Sequence, residues 1–260
     1  MLDTGYLYAK NSDRIFINTC LGCNGACSYC YLPRLEYNNK SNDSPVREAS
    51  QIIKDIEESG INIDEKTLIT LGCFSECWDE KNRPQTIELI RYFLQKGNQI
   101  QLSTKKQVTV EDVKGFQDLI KYMGQLVIFV SSASISHWEQ IERNTDSPTK
   151  RFETFEVSKK LNIPTVLYMK PILQGITIQD IKLYQEVVKR YGIKDGVVGS
   201  IFKEEESEET VHFSNKNKLF YNPVSDELEI KRRLMGMCNV YSRSSEVMSK
   251  YREKYLEEER

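Results

Sequence analysis

The sequence predicts an α/β protein: six β/α units sharing a parallel sheet, followed by a helical C-terminal extension. Three observations carry that prediction. Six short apolar runs alternate with segments of helical periodicity, most of the helical segments have recognisable start signals, and the alternation stops after Ile201. Short apolar strands separated by helices imply a parallel sheet with right-handed crossovers. The expected division is 1–202 for the six β/α units and 203–260 for the extension. Barrels place their active sites at the C-terminal strand ends, so the strand exits are where chemistry is sought.

The predicted strands are 15–19, 67–71, 99–103, 126–130, 165–169 and 196–201. Ser44-Pro45 opens the first helical segment, in which Val46, Ala49, Ile53 and Ile56 recur at helical spacing. Pro84 opens the second; Ile87, Ile90 and Leu94 share one face and Gly97 closes it. The third, 109–122, is less regular. Ser147-Pro148 pairs an N-cap with a proline at the first helical position of the fourth. The fifth reads as a Thr177-x-x-Asp180 capping box, then a stripe of Ile181, Tyr184, Val188 and Tyr191 closed by Gly192. The acidic run 204–209 reads as a solvated loop. From Asp226 onward a helical tail carrying Leu234, Tyr241, Met248 and Tyr251 is expected to cap the open side of the barrel.

Composition bounds the function. With 260 residues, 39% hydrophobic and 28% charged, the chain reads as a soluble globular protein able to bury a substantial core. A net charge of −2 supplies no global basic field for nucleic acid, although a local basic groove is compatible with it. Seven cysteines, unevenly clustered, do not resemble a disulfide framework. The N-terminus lacks a basic region followed by an apolar one, and no apolar run reaches membrane-spanning length. A reducing cytoplasm is the expected compartment.

The chemistry concentrates in 20–31. Cys23, Cys27 and Cys30 form a C-x₃-C-x₂-C run, with Gly22 and Gly25 allowing the backbone to fold around them. Three local thiolates on a [4Fe–4S] cube leave one iron open, whereas structural zinc and ferredoxin-type clusters take four ligands. A zinc knuckle that borrows Cys20 or a distant cysteine is the alternative, but x₃-x₂ is not zinc-module spacing. This run, with the aromatic Tyr29 before its third cysteine, resembles the signature of the radical S-adenosylmethionine (SAM) superfamily. The resemblance implies a partial (β/α)₆ barrel and a [4Fe–4S] cluster on Cys23, Cys27 and Cys30. It further implies that the open iron chelates SAM, whose reductive cleavage yields a 5′-deoxyadenosyl radical.

The strand exits carry further candidates. Gly72-Cys73-Phe74-Ser75-Glu76-Cys77-Trp78-Asp79 follows the second strand, where many members of the superfamily have a Gly-Gly-Glu stretch that binds the amino group of SAM; Ser75 and Glu76 are the cofactor-binding candidates there. Lys105 follows the third strand, Ser131 the fourth, and Lys170-Pro171 the fifth. A lysine in such a place can hold the carboxylate of SAM or a substrate anion. From Gly22 to Leu32, at Thr104-Lys105, at Ser131, from Ile141 to Arg151 and at Pro171-Ile172, the chain is similar to the spore photoproduct lyase group. In that group the equivalents of Lys105 and Ser131 contact SAM. A tyrosine beside the third cluster cysteine, here Tyr31, and a cysteine after the second strand return hydrogen to the product radical. Cys73 and Cys77 both qualify, and proximity to Asp79 favours Cys77. An auxiliary cluster on Cys73, Cys77, Cys238 and Cys20 is a further possibility for these thiols. The similarity runs from about Ile15 to Ile172; it leaves the tail after Ile201 outside, and 22 residues precede Cys23 where those enzymes have a long N-terminal region.

Three functions follow. The first is a radical SAM enzyme acting on a nucleic acid or nucleotide, with Lys105, Lys106, Lys170, Arg143 and Arg151 as candidate phosphate ligands. The second is the same chemistry on a peptide, protein or small molecule, recognised through the tail. The third is a non-catalytic metal-binding interaction module. Either enzyme needs a reductant such as flavodoxin or ferredoxin. His137 and His212 are isolated and read as surface or packing residues.

Overall fold

The computed structural model describes residues 2–9, 13–34, 45–203, 220–222 and 225–258. At its centre is a nine-stranded sheet. In chain order its strands are β1 (Leu2–Asp3), β2 (Leu7–Ala9), β3 (Arg14–Ile17), β4 (Leu68–Leu71), β5 (Gln99–Thr104), β6 (Leu126–Ser131), β7 (Thr165–Met169), β8 (Asp195–Val198) and β9 (Asn239–Tyr241). They lie side by side in that same order, with β1 and β9 as the two edges, so the barrel is open. Every pairing from β3 to β9 is parallel. β1 and β2 add antiparallel strands at the β3 edge.

Alternation along the strands sorts side chains onto two faces. Ile15, Ile17, Ile69, Leu71, Ile100 and Leu102 face outward, where α1 (Ala49–Glu58) and α2 (Arg83–Lys96) cover them with Ile52, Ile56, Leu89 and Phe93. All six residues of β6 are buried, the pattern of a strand covered on both sides. The crossover from β5 to β6 contains α3 (Val110–Lys114). That from β6 to β7 contains α4 (Trp138–Ile141), α5 (Pro148–Phe152) and α6 (Phe155–Leu161), and α7 (Ile181–Tyr191) joins β7 to β8. The inner face carries Val127, Phe129, Val166 and Val197, which pack on Val247, Met248 and Tyr251 of α9 (Ser244–Glu258). α9 therefore plugs the sheet from the side opposite the covering helices. Asp195 anchors it, accepting hydrogen bonds from Lys250 Nζ at 2.6 Å and Tyr251 Oη at 2.7 Å, together with one from Asn239 Nδ2 of β9 at 3.0 Å. Gly124 makes room: a Cβ there would lie 2.4 Å from that of Tyr251, and its φ of +94° is left-handed.

Several elements differ from the sequence-based expectation. The first helix starts at Ala49; Pro45 is described as non-helical, and Ser44 lies outside the described residues. The segment 109–122 holds only α3 and a 3₁₀ turn at Gln117–Leu119, although Thr109 and Asp112 form a full capping box. The fourth segment is broken into α5 and α6. Thr177 and Asp180 do not cap α7. The Thr177 hydroxyl donates to the Ala133 carbonyl (2.7 Å), and the Asp180 carboxylate accepts from Ser134 Oγ and from the Ile135 and Ser136 N–H groups. The two side chains thus fix the loop after β6, while 177–180 forms a 3₁₀ turn that runs directly into α7. β8 ends at Val198, and Ile201–Lys203 pairs instead with Phe220–Asn222. The tail holds α8 (Asp226–Leu234) and α9, and between them β9, a strand the helical reading missed. The acidic run 204–209 and His212 lie outside the described residues; His137 is exposed and hydrogen-bonds Ser136.

Candidate active site

The three-cysteine loop leaves β3 and is tied down on both sides. Gly22 N–H donates to the Phe74 carbonyl at 3.0 Å, and Asn18 Oδ1 accepts from Phe74 N–H at 2.6 Å, which holds the loop to the exit of β4. On its other flank Ala26–Cys27 pairs antiparallel with Glu142–Arg143, and Ser28 N–H donates to the Ile141 carbonyl at 2.8 Å. The Tyr29 hydroxyl donates to Glu142, which is itself ion-paired with Arg151 at 2.8 Å, both side chains fully buried. Arg151 also reaches the carbonyls of Ser131 (2.7 Å) and Asp146 (2.8 Å). Arg151 is accordingly a beam within the protein and not a phosphate ligand, contrary to the sequence-based expectation.

A cavity of about 1150 Å³ opens above the inner face. Cys23, Cys27, Cys30, Tyr29, Tyr31, Cys73, Ser75, Glu76, Lys105 and Ser131 all line it. Ten of the eleven candidate residues therefore meet at one place. The eleventh, Cys77, does not. Its thiol is 2% exposed, packs in the outer core and points at the Ser103 carbonyl, 3.5 Å away. Between the two cysteines the geometry favours Cys73, whose sulfur lies 3.9 Å from the Tyr31 hydroxyl; that hydroxyl donates to the Cys73 carbonyl at 2.8 Å. The cavity is thus lined by Cys73 and not by Cys77, the cysteine that proximity to Asp79 favoured. Cys20 is buried against Asn82 (3.2 Å) and Cys238 lies beside Gly196 on the far edge of the sheet, so the four thiols of the auxiliary-cluster reading are dispersed.

Electrostatics follow from burial. Glu76 accepts hydrogen bonds from Thr104 Oγ1, Lys105 N–H (2.9 Å) and Trp78 N–H (3.2 Å), yet burial still raises its pKa. Burial works against the Lys105 ammonium, but Cys27, Glu142 and Glu76 around it outweigh that penalty and raise its pKa. Its Nζ lies 5.7 Å from the centre of the Tyr29 ring. Burial pushes Cys73 up to about 11 and holds Tyr31 well above the ordinary phenol range, so both remain protonated at neutral pH. The deeper lining was missed from sequence: Arg14, Phe16, Thr70, Gln101 and Tyr168 are inward positions of β3, β4, β5 and β7. For Arg14, Thr70 and Gln101 the signal was a polar residue alternating with apolar ones; Phe16 carried none.

The family model for the radical SAM superfamily matches residues 17–188. The chain belongs to that superfamily and is an enzyme of it, a family that uses a [4Fe–4S] cluster and SAM. Among curated proteins it is 25% identical over 224 residues to a tRNA-2-methylthio-N(6)-dimethylallyladenosine synthase of Clostridium botulinum, a match covering 78% of this chain and 48% of the relative. The chain thus spans about half the length of the curated relatives it matches. Among solved structures, a spore photoproduct lyase mutant superposes with a TM-score of 0.63 at 18% identity, over 90% of this chain and 78% of the other. SuiB of Streptococcus suis bound to S-adenosylmethionine superposes at 0.57 with 8% identity, over 90% and 51%. At these identities the structural matches speak for the fold.

The loop fits a cluster on its own chemistry. A Cβ on Gly25 would stand 3.1 Å from Cys23 Sγ and 3.9 Å from Cys27 Sγ, so only glycine leaves the space between these thiols clear. Asn24 Oδ1 and Ser75 Oγ are buried at the cavity without a hydrogen-bond partner. Burial pushes Cys23 up to about 12 and raises Cys27 and Cys30, a set of neutral thiols until a cation binds and deprotonates them.

Proposed function

We propose that Cys23, Cys27 and Cys30 hold the [4Fe–4S] cluster and that SAM binds in the adjoining cavity. Its ammonium group would be taken by the Glu76 carboxylate with Ser75, and its carboxylate by Lys105 with Ser131, while Tyr29 positions the loop through Glu142. When bound, the cluster supplies the electron that breaks the sulfonium S–C5′ bond and releases a 5′-deoxyadenosyl radical able to take hydrogen from a substrate.

Cys73 then returns hydrogen to the product. The S–H bond breaks, a C–H bond forms, and the sulfur is left with the unpaired electron; the Tyr31 O–H then gives its hydrogen atom to the sulfur, restoring the thiol and leaving a Tyr31 phenoxyl radical that one electron from the reductant and a proton return to the phenol. This role needs protonated groups, since a thiolate has no hydrogen atom to give, and burial keeps both Cys73 and Tyr31 protonated. The substrate class that fits abstraction followed by return is a nucleotide or nucleic acid, as in the lyase group. The observation that carries the reading is the Cys73–Tyr31 pair facing the same cavity as the three cysteines. A reductant such as flavodoxin or ferredoxin and a reducing cytoplasm complete it.

The test is anaerobic incubation of reconstituted protein with SAM, dithionite and ultraviolet-irradiated oligonucleotides. We expect 5′-deoxyadenosine together with loss of the lesion, and neither with Cys27→Ala. Deoxyadenosine with every lesion intact would reject the nucleic-acid reading while leaving the radical chemistry standing.

A further inference from the structure

Ser131 is the last residue of β6, and it lines the cavity with a side chain only 5% exposed. Among the described residues its hydroxyl has no hydrogen-bond partner. The chain that follows is, by contrast, tied from both sides. On the side of the cysteine loop, Arg151 Nη1 donates to the Ser131 carbonyl at 2.7 Å, and the Ala133 N–H donates to Glu142 at 3.3 Å. On the other side the start of α7 and the turn before it take hold. The Tyr184 hydroxyl donates to the Ser132 carbonyl at 3.2 Å and lies 3.0 Å from Ser132 Oγ. The Thr177 hydroxyl donates to the Ala133 carbonyl at 2.7 Å while accepting the Leu173 N–H at 2.8 Å. Asp180 accepts from Ser134 Oγ at 2.7 Å and from the N–H groups of Ile135 and Ser136 at 2.7 and 3.1 Å.

Three side chains from one short stretch therefore converge on the residues directly after Ser131. All are buried: Tyr184 and Thr177 are 0% exposed and Asp180 2%. A phenylalanine in place of Tyr184 would fill the same core, so the phenol oxygen is there for Ser132. A buried polar network whose members are all satisfied holds a single geometry, because any shift leaves a donor or acceptor unpaired away from water. The group that this network leaves over is the Ser131 hydroxyl, fixed in place at the cavity wall. Its neighbour across the sheet is Lys105, since Thr104 pairs with Val130 in the β5–β6 ladder. An ammonium and a hydroxyl side by side suit a carboxylate, and a hydroxyl that is already ordered costs nothing further to order when the ligand arrives.

We infer that Thr177, Asp180 and Tyr184 are positioning residues that preset the Ser131 hydroxyl for the carboxylate of SAM. The inference deepens the proposed function and rests on its assignment of Ser131. The experiment is equilibrium dialysis of the anaerobically reconstituted enzyme, without reductant, against SAM and against decarboxylated SAM, which lacks the carboxylate. Ser131→Ala should weaken SAM about tenfold, the loss of a hydrogen bond to a charged group. Tyr184→Phe and Thr177→Val should each weaken SAM about fivefold, and all three should leave the decarboxylated ligand within about twofold of wild type. Thr177→Ser, which keeps the hydroxyl, should restore SAM affinity. Thr109→Ala, which breaks a cap in α3, should keep the wild-type affinity for both ligands. Circular dichroism and iron content of each variant report on fold and loading. Equal weakening of SAM and decarboxylated SAM by Tyr184→Phe and Thr177→Val, or wild-type SAM affinity in variants whose thermal midpoint has fallen, would make the network structural only and overturn the inference. If Ser131→Ala itself leaves SAM affinity unchanged, the assignment of Ser131 fails and the inference falls with it. If Ser131→Ala weakens SAM while the other variants do not, the inference fails alone.

Discussion

At the scale of residues, the site turns on which thiol can reach a radical. Cys73 and Tyr31 share the cavity with the three-cysteine loop, while Cys77, four positions later, is sealed against the Ser103 carbonyl. Cys73→Ala should therefore sustain SAM cleavage but lose clean return of hydrogen, seen as incorporation of solvent deuterium into product or as side products in mass spectra. Cys77→Ala should keep the product pattern and cost stability instead, about 1 kcal/mol as for other small deletions in a core, readable from a urea midpoint. Tyr31→Phe should retain a first turnover and slow later ones by about tenfold, a barrier change near 1.4 kcal/mol. Reversal of the two cysteine phenotypes would reassign the donor.

At the scale of elements, the segment from α4 to α5 supports the cysteine loop. Glu142 is the hub: it accepts from Tyr29, from Ala133 N–H and from Arg151, and its backbone pairs with the strand containing Cys27. Removing one partner of a buried pair leaves the other charge uncompensated, which costs roughly 3–5 kcal/mol. Arg151→Met should thus lower the thermal midpoint markedly and also reduce iron bound per chain, because the loop loses the wall it rests on. A variant that loses stability yet binds iron fully would show that the hub does not position the loop. By comparison Thr109→Ala, which breaks the capping box of α3, should cost about 1 kcal/mol and leave iron content intact.

At the scale of the whole molecule, α9 closes the inner face, and Asp195 is the pin. Burial alone would raise the Asp195 pKa, but hydrogen bonds from Lys250, Tyr251 and Asn239 outweigh it and lower the value. A carboxyl depressed in the fold stabilises it above the unfolded value of about 4, and that contribution disappears as pH falls through the folded value. Urea midpoints measured from pH 7 down to pH 3 should fall in the wild type; in Asp195→Asn they should start lower and lose less across the same range. Val247, Met248 and Tyr251 bury about 1.5–3 kcal/mol of side chain each against the sheet. Deleting the chain after 222 should accordingly abolish deoxyadenosine formation together with substrate turnover. Loss of turnover alone would make the tail a recognition element.

Much of this was written in the residues themselves. The alternation of apolar runs with helical stripes specified a parallel α/β sheet because strand and helix periodicity are local properties, and the C-x₃-C-x₂-C run pointed to the proposed cluster site because its three cysteines fall within eight residues. The same locality explains why Lys105 and Ser131, each at a strand exit, line one cavity: parallel strands of one sheet bring their exits together. Other features depended on which way a side chain turns and on what comes to meet it from far along the chain. Only the folded molecule separates Cys73 from Cys77, takes Arg151 out of the solvent and into Glu142, turns Thr177 and Asp180 from a helix cap into a loop clasp, and brings β9 and α9 back to complete the sheet. Those outcomes are decided by burial and long-range partners, and neither leaves a trace in local spacing.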